Sequence, residues 1–182
     1  MTHPDTFVKS THKGFGLFAG RDFKRGEILW LIDDYDVKIP LHEYNNLDRE
    51  QRRKLDIYTY MDFQYRVIVP WDDGKYVNHS CEPNCTGLSQ FDNLTVALRD
   101  IKEGEEIVED YTSYFAHFET FNCECGSKNC CGVVSSELPY QAHLRLNLSV
   151  IGSVINSMNQ YLLGIKTKEN ADLTVLLSNL VE

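Results

Sequence analysis

Long apolar runs are missing from this 182-residue chain. Nothing approaches the roughly 20 consecutive apolar residues that a membrane span requires. Residues 1–14, MTHPDTFVKSTHKG, hold no apolar signal-peptide core, so the expectation is an intracellular protein, nuclear or cytoplasmic, without a membrane partner. Basic residues are in deficit: 18 Lys and Arg stand against 27 Asp and Glu, a net charge of −9. Binding along a phosphate backbone needs a basic footprint, so direct nucleic-acid binding is not expected. The same field favours a basic partner. No internal repeat or low-complexity linker occurs. Cysteine is absent from the first 80 residues and from the last 51.

What is present is the composition of a folded domain, 42% hydrophobic and 25% charged. A chain of this length buries enough surface to fold without disulfides. Its six cysteines crowd into two places: Cys81 and Cys85, then Cys123, Cys125, Cys130 and Cys131. In a reducing compartment such clustering favours metal binding or catalysis. Cys123-Glu-Cys125-Gly-Ser-Lys-Asn-Cys130 reads C-x-C-x4-C, a spacing at which a tight loop can converge three soft thiolates on one zinc ion. The fourth position goes either to water or to a distant Cys or His, with Cys81 and Cys85 the obvious donors.

Along the chain, His12-Lys13-Gly14-Phe15-Gly16-Leu17 is a glycine-punctuated turn into an apolar run. Residues 28–32, ILWLI, read as a buried strand, as do residues 67–69 and 94–98. Residues 41–56 read as one surface helix carrying Leu41, Tyr44, Leu47 and Leu55. Residues 76–85, YVNHSCEPNC, fit no regular element and pack polar side chains together, as functional loops do. Residues 147–163 and 173–180 carry apolar positions at helical spacing.

Four pieces in one order, KGFGLFA, YVNHSCEPNC, GEEIVEDY and F-x-C-x-C-G-S-x-x-C, resemble the SET-domain protein lysine methyltransferases with their zinc-binding post-SET segment. The resemblance runs from about residue 6 to 132. It implies a mainly β fold of small antiparallel sheets with a pseudoknot, to which the helical spacing adds a C-terminal α-helical extension. The expected division is a SET domain over 1–116, a post-SET zinc segment over 117–132 and a helical extension over 133–182. A homodimer through the C-terminal helices is one arrangement such helices allow.

The resemblance also implies roles. S-adenosylmethionine is the expected cofactor. Lys13, Gly14, Phe15 and Gly16 match the loop against its methionine part, Asn78 and His79 match the pair that bonds its amino group and adenine, and Tyr58 more loosely matches an aromatic that touches it. Tyr111 matches the catalytic tyrosine. Cys81 matches the fourth ligand beside Cys123, Cys125 and Cys130, which closes a structural zinc site and leaves Cys85 and Cys131 as bystanders. The substrate would be a lysine in a basic protein or peptide, such as a histone tail. The chain departs from the family at Glu109, where an aromatic often tunes the number of methyl groups. It departs again at residues 30–35, WLIDDY, and at Lys75 in place of an arginine. Glu109 motivates an alternative, a non-catalytic SET-like module that binds a peptide or partner. A Cys81–His79 hydrolase dyad lacks an oxyanion motif. The acids at 33–36, 72–73 and 100–110 are expected at the rim of the substrate channel.

Overall fold

A computed structural model describes residues 1–62, 64–88, 91–113 and 120–135. Within them the chain is mainly β: β1 (Thr6–Thr11), β2 (Gly14–Ala19), β3 (Ile28–Leu31), β4 (Val37–Pro40), α1 (Leu41–Asn45), α2 (Arg49–Leu55), β5 (Tyr60–Met61), β6 (Arg66–Val69), β7 (Asn78–His79), β8 (Cys85–Leu88), β9 (Phe91–Ala97), β10 (Glu106–Glu109), β11 (Phe121–Asn122) and β12 (Val133–Val134). The expected C-terminal helices and the boundary at residue 116 lie outside the described residues. Among the described residues, no helix is long and apolar enough to cross a membrane.

The strands form four small sheets, ordered β1-β2-β10-β7, β3-β9-β8, β4-β6-β5 and β11-β12. β1 and β2 make a hairpin in which Thr11 pairs with Gly14 across His12 and Lys13. The tight turn puts Gly14 at φ +110°, in the region that favours glycine. β10 then pairs antiparallel with β2, Ile107 opposite Leu17, and parallel with β7, Val108 opposite Asn78 and Glu109 opposite His79. Parallel neighbours need a long crossover. Here the intervening chain supplies β8 and β9, so residues far apart in sequence meet in one sheet.

Leu17, Ala19, Phe23, Leu29, Cys85, Ala97, Ile101 and Ile107 form the core beneath that sheet. Each large member contributes about 1.5–3 kcal/mol by leaving water. Cys85 is fully buried among them, which accounts for it as a packing residue.

The single helix expected over residues 41–56 is instead two short ones. Asp48 ends the first path and starts the second with a capping box: its Oδ1 accepts from Gln51 N at 2.8 Å, and Gln51 Oε1 accepts from Asp48 N at 2.9 Å. Of the four apolar positions only Tyr44 is buried. The 76–85 stretch, which fits no regular element on local pattern, contains β7 and opens β8.

Candidate functional site

The site is built where β2, β7 and β10 come together. Asn78 Nδ2 donates to Phe15 O at 2.9 Å and to Glu106 Oε1 at 2.8 Å, tying the first glycine turn to the NHS segment. Lys13 Nζ lies 3.8 Å from the same Glu106 oxygen. Gly16 makes room for this closeness: a Cβ there would sit 2.7 Å from Glu106 Oε1 and 3.1 Å from Asn78 Nδ2, so the Glu106 carboxylate would have to shift. Phe15 is 54% exposed and Tyr58 42%, so both leave aromatic surface open to a ligand. They are linked through Tyr76, with ring centroids 5.5 Å from Phe15 and 5.9 Å from Tyr58. Tyr76 was not singled out in the sequence, although it stands two residues before Asn78.

His79 is buried and held from two sides. Its Nδ1 accepts from Tyr111 N at 3.3 Å, which assigns the ring proton to Nε2, and Nε2 lies 3.4 Å from Cys81 Sγ. The Tyr111 hydroxyl donates to Val77 O at 2.7 Å. Burial, aided by the charge on Glu109, pushes the phenol well above its ordinary value, so it stays a neutral hydrogen-bonding group. The ring centroids of His79 and Tyr111 are 5.4 Å apart, and Phe121 packs at 6.1 and 6.3 Å from them.

Asn84 holds the NHS segment in place and was not singled out by sequence. It is fully buried and spends every polar atom: Nδ2 donates to Glu106 O at 2.8 Å, Oδ1 accepts from Val108 N at 2.9 Å, its N donates to Val108 O at 3.1 Å and its O accepts from Leu98 N at 2.8 Å. It therefore acts as a strand surrogate along the edge of β10.

Phe121 opens the β11-β12 hairpin, where Phe121 pairs with Val134 and Asn122 with Val133. That hairpin brings the second cysteine group over the NHS turn. Ser80 Oγ meets Ser127 Oγ at 3.2 Å, and Asn129 Nδ2 donates to Glu82 Oε1 at 3.1 Å. The Sγ atoms of Cys81, Cys123, Cys125 and Cys130 all lie within 4.8 Å of one another. Cys81 and Cys123 are 3.7 Å apart, close to the roughly 3.8 Å edge expected of a zinc tetrahedron with bonds of about 2.3 Å. The donor set thus fits zinc.

Burial pushes Cys123 up to about 11 and Cys81 higher still. For Cys125 burial opposes ionisation, but hydrogen bonds, chiefly from the Ser127 hydroxyl, outweigh it and hold the thiol down at about 6. A raised Cys81 is the opposite of what a hydrolase nucleophile needs, despite its contact with His79. Cys131, expected as a bystander, lies beside the cluster: its Sγ is 3.4 Å from Cys81, and His79, Cys81, Cys123 and Cys131 form a second group whose ligand atoms lie within 4.8 Å of one another.

The expected acidic rim is corrected in part. Asp36 turns inward and accepts from Asp33 N and Trp71 N. Asp72 accepts from Trp30 Nε1 at 3.2 Å and Gly74 N at 2.9 Å. Asp100 pairs with Lys24 and Glu105 with Arg99, while Glu109 is buried. Asp34, Asp73 and Glu103 remain exposed. The missing aromatic at 109 is thus a buried carboxylate, whose Oε1 accepts from Gly87 N at 2.6 Å.

Residues 14–112 match the SET domain family. The variant-silencing SET domain-containing protein of Plasmodium falciparum (isolate 3D7) is 34% identical over 139 residues, which are 69% of this chain and 5% of that protein. The histone-lysine N-methyltransferase ASHH2 of Arabidopsis thaliana is 27% identical over 141 residues, 71% of this chain and 8% of that protein. This chain therefore spans a small fraction of the length of these relatives. Among solved structures, the methyltransferase domain of human histone-lysine N-methyltransferase SETMAR superposes with a TM-score of 0.52 at 20% identity, covering 74% of this chain and 58% of that one, a likeness of fold.

Proposed function

The chain belongs to the SET-domain family, and on that premise we propose that it is an S-adenosylmethionine-dependent methyltransferase acting on the side-chain amine of a protein lysine. The observation that carries the reading is the joining of Asn78 to Phe15 and of Tyr111 to His79 and Val77, which gathers the glycine turn, the NHS segment and the tyrosine into one site. Histone-lysine methyltransferases among the relatives support a histone tail as the substrate and the nucleus as the compartment. The exposed acids Asp34, Asp73 and Glu103 suit a basic segment.

When bound, S-adenosylmethionine supplies a methyl group already activated by a sulfonium. The remaining work is alignment, and orienting two reactants can remove several kcal/mol of a barrier. Lys13 and Gly16 leave room for close backbone approach, and Phe15, Tyr76 and Tyr58 offer aromatic faces to the cofactor. Asn78 and His79 present backbone and amide groups to it. Tyr111 orients the lysine amine and meets developing charge as a neutral hydroxyl. An amine of ordinary pKa about 10.4 must first lose its proton, which a dry site beside positive sulfur favours. Cys81, Cys123, Cys125 and Cys130 would hold a structural zinc that fastens residues 121–134 over the site.

The proposed division keeps a SET domain over 1–116, a zinc segment over 117–132 and a C-terminal extension over 133–182, with self-association through the extension. Titration calorimetry of the zinc-loaded chain tests the reading. S-adenosylmethionine should bind one per chain, and Gly16→Ala, by pushing Glu106 Oε1 from its place beside Asn78 Nδ2, should weaken binding severalfold. Absence of cofactor binding to metal-replete protein would defeat it.

A further inference from the structure

Two of the six thiols stand outside the proposed zinc set, and they differ in what can reach them. Cys85 is fully buried in the core, where its Sγ donates to Val108 O at 3.3 Å. An oxidant dissolved in water does not meet it there. Cys131 is exposed. It follows Cys130 directly, and Gly132 after it turns the chain at φ +77°.

Cys131 is aimed at one of the proposed ligands. Its Sγ lies 3.4 Å from Cys81 Sγ, and its backbone N donates to the same sulfur, also at 3.4 Å. Its own thiol donates to Val133 O at 3.1 Å, which holds it in the turn. The Cys81–Cys123 pair, whose sulfurs would share the ion, is wider at 3.7 Å. A disulfide needs sulfurs about 2.05 Å apart, so Cys131 and Cys81 are about 1.4 Å short of a bond. An exposed thiol beside a second one that can resolve it is the arrangement of a redox sensor.

We propose that Cys131 is a redox-modification site, a hydroperoxide-sensing thiol that withdraws Cys81 from the zinc by forming a disulfide with it. This rests on the four-thiol zinc site proposed above. In the first step the Cys131 sulfur, as thiolate, attacks one oxygen of hydrogen peroxide. The O–O bond breaks, Cys131 becomes a sulfenic acid, and the other oxygen leaves as hydroxide and takes up the thiol's proton as water. In the second step the Cys81 thiolate attacks the sulfenic sulfur. The S–S bond forms, the S–O bond breaks and hydroxide leaves. Two electrons have then passed from the two sulfurs to the peroxide. Cys123, Cys125 and Cys130 remain, one thiolate short of a closed site, and zinc dissociates. A dithiol reductant and fresh zinc reverse the change.

The test treats the zinc-loaded chain with hydrogen peroxide and follows zinc release with a metal-binding dye. Wild type should release one zinc per chain, and mass spectrometry of an unreduced digest should show Cys81 linked to Cys131. Dithiothreitol with added zinc should restore the metal. Cys131→Ser should bind zinc as wild type does and release it at least about tenfold more slowly at the same peroxide concentration. Equal release from the variant overturns the proposal and leaves the zinc site standing, as does oxidised wild type without the Cys81–Cys131 link. The link is read on wild type alone, so it decides the matter even where the variant does not fold. Two zinc ions per chain, falling to one in Cys131→Ser, would make Cys131 a ligand and also overturn the proposal. A wild type that takes up no zinc overturns both the proposal and the zinc site.

Discussion

The NHS segment with β10 and the cysteine segment with β11 and β12 face each other across the site, yet they are held by different forces. The first is anchored by the fold. Leu17, Cys85 and Ile107 bury it from below, and Asn84 bonds it to β10 and to Leu98, just past β9, through four groups. The second has almost no core: Val134 is its one fully buried apolar side chain among described residues, and Cys130, Cys131 and Val133 are exposed. Two-residue strands of this kind cannot stand alone. What gathers the segment is the thiol cluster, and one thiol, Cys81, belongs to the other region. The lesson is a division of labour in which the fold sets the positions of Asn78, His79 and Tyr111, while the four-thiol cluster, which a zinc ion would close, holds the segment that covers them.

The largest expected effect breaks that division at the metal. Chelation, or Cys125→Ser, should take the zinc content from one per chain to none and lower methyl transfer at least about a thousandfold. Amide exchange should speed up in residues 121–134 but not in β2 or β10, and uniform loss of protection would erase the distinction. Next, Tyr111→Phe should cost about a hundredfold in kcat with cofactor affinity nearly unchanged, read by single-turnover kinetics beside calorimetry. Asn84→Ala strikes the anchored region: unpaired groups on β10 should cost about 2 kcal/mol in urea unfolding without loss of zinc. Smallest is Asp48→Ala, which removes the α2 capping box. About 1 kcal/mol of stability should go, with transfer unchanged, because α2 buries no residue.

Much of the site was legible because its residues carry chemistry in fixed short strings. The cysteine spacing pointed to thiols that converge, and NHSCEPN to a segment that meets the glycine turn. The short parallel pair β7-β10 was not legible, since two-residue strands have no periodicity and their pairing joins residues about thirty apart. Asn84 hid in the motif because its work depends on β10, which lies elsewhere in the chain. The break between α1 and α2 did have a local signal, Asp48 followed three residues later by Gln51, which the apolar positions on either side obscured. Charge misled most at Glu109, Asp36 and Asp72: sequence counts acids, but only packing tells which turn inward.

The most direct measurement is transfer of tritiated methyl from S-adenosylmethionine to core histones by the zinc-loaded chain, with the labelled residue located by mass spectrometry and Tyr111→Phe as control. The account predicts label on lysine side-chain nitrogen and about a hundredfold less with the variant. Cofactor bound and zinc present, but no label on any lysine, would contradict it.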